Sequence, residues 1–96
     1  MKILKNLFNL KNRTVVLTGA GGYLAEKMSL ILADLGANLI LISRRKNLKN
    51  NYDKKLSLLY PNIKIKKIIC DLSQEKKRSK LIKSLNKESI NILINN

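Results

Sequence analysis

Histidine is absent from these 96 residues, and cysteine occurs once, as Cys70. No disulfide can therefore form within the chain, and no zinc site of the usual Cys/His type can be assembled. A single thiol inside an apolar run reads as a buried structural group and fits a reducing, cytoplasmic setting. Aromatic residues are only 4% of the chain, so few rings are available to stack on bases. Acidic residues are also scarce, 6 against 20 basic, which gives a formal charge of +14. Such a charge points to polyanions, either nucleic acid or an anionic membrane. The lysines, however, run from Lys2 to Lys87 and do not gather in one tail. A composition that fills solvent positions with lysine and asparagine accounts for them better, and no specific nucleic-acid partner is expected. Long apolar runs are lacking too. The region from Leu30 to Ile42 is interrupted by Asp34, Gly36 and Asn38 and is too short to span a membrane. Lys2, Lys5 and Lys11 break up the first twelve residues, which lack the core of a signal peptide and read as a lead-in.

What is present is an ordinary globular apolar fraction, 45%, in a chain long enough for one domain with a small core. Thr14 to Thr18 is β-branched and apolar and runs directly into glycines, as a buried strand ending in a turn does. From Gly22 to Leu35, Leu24, Met28, Ile31 and Leu35 recur at helical spacing, and Gly36 suits a left-handed helix end. Leu39 to Ile42 is a second buried strand. Residues 46 to 60 carry Leu48, Tyr52, Leu56 and Leu59 at helical spacing, and Pro61 stops that helix. Ile63 to Cys70 gives a third strand. Ser73 is placed to cap a further helix, with Glu75 at its positive end, running to about Lys87. Ile90 to Ile94 is a fourth strand.

The order is β-α-β-α-β-α-β, which implies right-handed crossovers and a parallel α/β sheet. Strands one, two and four are apolar on both faces, as inner strands are. The third opens with alternating lysines, as an edge strand does. A strand order of 3-2-1-4 follows, the first half of a Rossmann-like dinucleotide-binding fold.

Thr18-Gly19-Ala20-Gly21-Gly22-Tyr23-Leu24-Ala25 lies between the first strand and first helix, where a phosphate-binding turn belongs. Gly19 can make the tight turn. Gly21 and Gly22 let backbone approach a pyrophosphate, and the helix start offers free N–H groups to it. The plainer alternative is a tight connection with no ligand. A phosphate-loop NTPase is not expected, because no Gly-Lys-Ser/Thr follows. At the end of the second strand, where an NAD site usually carries an acidic residue, stand Ser43, Arg44 and Arg45. Two guanidinium groups suit a 2′-phosphate, so NADP(H) is expected over NAD(H). Asp34 falls inside the preceding helix and cannot serve the ribose. Asp71, after the third strand, is placed either to accept a hydrogen bond from an adenine amino group or to cap a turn.

These residues together resemble the short-chain dehydrogenase/reductase family over nearly the whole chain. Leu10 to Ala20 is similar to the family's first strand and turn, and Arg44 and Arg45 to its NADP-type signature. Cys70-Asp71-Leu72-Ser73 is similar to its adenine contact. Ile92-Leu93-Ile94-Asn95-Asn96 is similar to the start of its Asn-Asn-Ala-Gly element. The turn departs from the common Thr-Gly-x-x-x-Gly-x-Gly form. Gly19, Gly22 and Ala25 fit better the version seen in relatives acting on nucleotide sugars.

The resemblance implies a cofactor site made by Thr18 to Leu24, Ser43 to Arg45, Asp71, Leu72, Asn95 and Asn96. It implies an oxidoreductase acting on a carbonyl or alcohol. The family's catalytic serine and Tyr-x-x-x-Lys pair lie past the Asn-Asn-Ala-Gly element, beyond Asn96. Tyr23 and Lys27 have that spacing but sit in the first helix, so no catalytic residue is assigned. The chain is expected to be part of a longer gene product and inactive alone. A non-catalytic nucleotide-binding module is the alternative, partnered by the complementary half or by a second copy. A basic nucleic-acid binder explains the motif order least.

Overall fold

The structure, a computed structural model, describes residues 7–96. Half of the expected lead-in, residues 1–6, lies outside the described residues. The elements in order are β1 (Thr14–Leu17), α1 (Tyr23–Asp34), β2 (Asn38–Ser43), a 3-10 turn (Lys49–Asn51), α2 (Tyr52–Leu59), β3 (Ile65–Ile69), α3 (Glu75–Leu85) and β4 (Ile92–Ile94). All strand pairs are parallel, and the sheet order is β3-β2-β1-β4, as the apolar patterning predicts. Val15 pairs with both Leu39 and Ile92, which centres β1 between two apolar strands.

Alternation along β1 and β2 divides the core between two sheet faces. Val15, Leu17, Leu39 and Leu41 point to one face, where Ala25 and Ala33 of α1 and Tyr52 and Leu56 of α2 cover them. Val16, Ile40 and Ile42 point to the other, where Leu81 of α3 and Cys70, just after the third strand, meet them. The alanines of α1 let that helix lie close to the sheet. The second face is thinly covered, by one helix with a single buried residue.

Four sequence expectations are corrected. The helix predicted from residue 46 begins at Tyr52, because Asn50 and Asn51 are left-handed (φ 56° and 50°). Asparagine tolerates that region better than most side chains. Leu48, the first apolar residue of that stretch, is buried in loop geometry. Ser73 does not cap α3. The capping position is Gln74, with no side-chain cap, and the Ser73 hydroxyl donates instead to Asp71 Oδ1 at 2.7 Å. The third correction concerns β4, which is apolar but not buried on both faces. Ile92 and Ile94 are half-buried against the α1/α2 side, while Leu93 is 66% exposed on the thin side. Lastly, the outer strands are shorter than the apolar runs containing them, which reach back to Ile63 and Ile90.

Gly36 closes α1 at φ +93°, donating to Ala33 O, and Ala37 N–H returns to Leu32 O. That is the left-handed helix end expected of glycine. Among the described residues no helix is long and apolar enough to cross a membrane.

Candidate dinucleotide site

The carboxyl ends of β1, β2 and β4 converge on the glycine turn. Gly19 turns the chain at φ +64°. A Cβ placed on it would come within 2.8 Å of Asn96 O, so both conformation and space require glycine there. Hydrogen bonds fix the turn on three sides. Thr18 N–H donates to Ile94 O of β4 at 3.1 Å, and Ala20 N–H to Ile42 O of β2 at 3.0 Å. Gly22 N–H closes the turn itself onto Gly19 O at 3.2 Å. The Thr18 hydroxyl donates to Asn95 Oδ1 (3.0 Å) and accepts from Asn96 N–H (3.1 Å), while Asn96 Nδ2 donates to Gly19 O (3.3 Å). Thr18, Gly19, Asn95 and Asn96 are thus one connected unit.

Helix α1 starts on the far side of this turn. Its capping residue Gly22 is extended and supplies no side-chain cap, which leaves first-turn N–H groups open. Gly21 N–H also has no acceptor among the described residues. Open N–H groups at the positive end of a helix dipole favour an anion.

Gly19, Gly21, Gly22, Ser43, Arg44 and Arg45 line one cleft of about 380 Å³. Buried Ser43 shapes its wall: its Oγ accepts from Arg45 N–H at 3.1 Å, and both arginine side chains are left exposed at the rim. Arg44 also borders a neighbouring cleft with Asp71, Lys77 and Lys80. Asp71 is held there as a turn residue. Its Oδ1 accepts from Ser73 N–H (3.0 Å) and Ser73 Oγ (2.7 Å). Those bonds, then the charges of Arg44 and Lys77, hold its carboxyl below its ordinary value of 3.8. Asp71 therefore ties this turn to Ser73.

Tyr23, Leu24 and Leu72 do not line the glycine cleft. Tyr23 stands outside it with the Lys27 and Lys49 ammonium groups 5.3 and 5.4 Å from its ring centroid. Lys27 therefore meets Tyr23 through cation–π attraction. Asp34 lies at the opposite edge of the sheet, where the Tyr60 hydroxyl donates to it at 3.2 Å.

One participant escaped the sequence reading. The buried Tyr52 hydroxyl, from α2, donates to Ala20 O at 2.6 Å, directly under the turn. The periodicity marked Tyr52 only as an apolar position, and its one signal was a phenol in a row of leucines. Burial pushes that phenol above its ordinary 10.0, and the Asp53 and Glu26 carboxylates add to the rise. Ser29 Oγ pulls the other way from beside it, although it is buried outside hydrogen-bond geometry.

Comparison with known proteins agrees with this geometry. Residues 13–94 match the model of the KR domain family. A curated Caenorhabditis elegans protein named "Putative steroid dehydrogenase 4" is 36% identical over 83 residues, covering 84% of this chain and 32% of that protein. This chain belongs to the short-chain dehydrogenase/reductase family.

Solved members share its architecture. A short-chain dehydrogenase/reductase from Mycobacterium marinum superposes with a TM-score of 0.78 at 23% identity, over 97% of this chain and 37% of that one. L-sorbose reductase from Gluconobacter frateurii, solved with NADPH and L-sorbose, gives 0.81 at 16% identity, over 93% and 34%. The Pseudomonas aeruginosa RhlG/NADP complex gives 0.78 at 26% identity, over 93% and 36%. The chain spans about one third of the length of the relatives it matches.

Proposed function

We propose that this chain is the NADP(H)-binding portion of a short-chain reductase that interconverts a carbonyl and an alcohol. The observation that carries the reading is the single cleft formed by the open glycine turn and the Arg44–Arg45 pair. Gly21 N–H and the first turn of α1 would receive the pyrophosphate, and the two guanidinium groups the 2′-phosphate. Ser43 fixes the arginine loop. Asn95 and Asn96 hold the turn through Thr18 and Gly19. When bound, the nicotinamide supplies hydride chemistry. Two relatives of this fold whose names include NADPH or NADP support the choice of cofactor. Asp71 shares a neighbouring cleft with Arg44 and, with Leu72 next in the chain, would border the adenine.

Catalysis is assigned to no residue of this chain, and no turnover is expected from residues 1–96 alone. The test is calorimetric titration with NADPH. Binding in the micromolar to millimolar range is expected for the unsubstituted chain. Arg44→Glu with Arg45→Glu should weaken it at least about tenfold, since it replaces two charge-assisted partners with repulsion. Equal affinity in the double variant contradicts the arginine assignment.

A second reading, a module completed by another polypeptide, draws on β4. Its outer edge pairs with no strand among the described residues, and Leu93 is bare. Apolar edges of that kind accept a further strand.

A further inference from the structure

We propose that Tyr52 is a positioning residue for the pyrophosphate turn, acting through the Ala20–Gly21 peptide unit. This inference rests on the cofactor reading above. The Ala20 carbonyl and the Gly21 N–H belong to one planar trans peptide and point in opposite directions. The Tyr52 hydroxyl holds that carbonyl inward at 2.6 Å. The N–H of the same plane is thereby aimed away from the core, and like Gly19 N–H it has no acceptor among the described residues.

Glycine at position 21 makes the constraint necessary. Without a Cβ, Gly21 populates either sign of φ, so this peptide plane can rotate cheaply unless something fixes it. Ala20 N–H is anchored to Ile42 O on the preceding plane, but that bond does not restrain the Ala20 carbonyl. The restraint comes from α2, one crossover away from the glycine motif. Tyr52 is itself held: it is buried in the core cluster with Leu48 and Leu56, where its ring has no room to swing. Removing the hydroxyl leaves the ring in place and frees only the peptide plane.

The experiment titrates the unsubstituted chain and Tyr52→Phe with NADPH and, separately, with adenosine 2′-monophosphate. The monophosphate carries the group read by the arginines but no pyrophosphate. Tyr52→Phe should lose about tenfold in NADPH affinity, the equivalent of one net hydrogen bond. Its affinity for adenosine 2′-monophosphate should stay within about twofold, because that ligand makes no use of the turn amides. Unchanged NADPH affinity overturns the assignment. An equal loss for both ligands, or a variant that fails to fold, makes the hydroxyl a structural group and overturns it as well. Failure of the unsubstituted chain to bind either ligand overturns the cofactor reading itself.

Discussion

Gly19→Ala tests whether the turn is as tightly determined as its geometry says. At φ +64° an added Cβ carries roughly 1–2 kcal/mol of left-handed strain. It also arrives 2.8 Å from Asn96 O and 3.3 Å from Asn96 Nδ2. The end of the chain must then move, which breaks the bonds from Asn96 to Gly19 O and Thr18 Oγ1, about 1 kcal/mol each. Alanine gives back roughly 0.4–1 kcal/mol by restricting the unfolded chain. The net is a loss of about 2–3.5 kcal/mol, from a total stability on the order of 5–15 kcal/mol. In urea that corresponds to a midpoint lowered by about 1–2 M. Gly36→Ala is the control. Gly36 is also left-handed, at φ +93°, but its Cβ would meet nothing nearer than Lys11 N at 3.4 Å. It should cost only the backbone strain, about 1 kcal/mol. Equal midpoints for the two variants would show that the contact with Asn96 does not constrain Gly19, because the expected difference rests wholly on it.

Leu41→Ala, at a fully buried position in the central strand, should cost about 3 kcal/mol by chemical unfolding, whereas Ile82→Ala on the exposed side of α3 should stay within about 0.5 kcal/mol. The Asp71 carboxyl is held below 3.8, so its stabilising effect is complete above that value and fades as pH falls through the lowered one. Asp71→Asn should therefore be less stable near neutrality and converge on the parent in strong acid; parallel pH profiles contradict this. Leu93→Lys should reduce concentration-dependent self-association in sedimentation and leave the unfolding midpoint nearly unchanged, and association that is indifferent to the substitution removes the open β4 edge as its cause.

The sheet was legible in the sequence because its strands announce themselves by burial on two faces. Val15 to Leu17 and Leu39 to Ile42 could be nothing but inner strands, and the lysines at 64 and 66 gave β3 away as an edge. The convergence of the glycine turn with Arg44 and Arg45 followed from that order alone. What escaped depended on contacts between segments distant in sequence. Helical spacing over residues 46 to 60 could not reveal that Asn50 and Asn51 prefer left-handed turns here, since Leu48 is buried equally well by a loop. Ser73 looked like a helix cap until Asp71, two residues earlier, claimed its hydroxyl. Tyr52 was invisible as a polar residue because its partner, Ala20 O, is 32 residues away. Burial of Leu93 was overestimated because apolar character marks a strand without saying whether anything covers it.

The turn after β1 is proposed to receive a pyrophosphate. Amide chemical-shift mapping of the 15N-labelled chain during titration with NADPH tests it most directly. Saturable shifts are expected, centred on Gly21, Gly22 and Tyr23, with a second group at Arg44 and Arg45. Shifts confined to the opposite edge of the sheet, around Lys11, Asn12 and Asn62, or no shifts at millimolar NADPH, would contradict it.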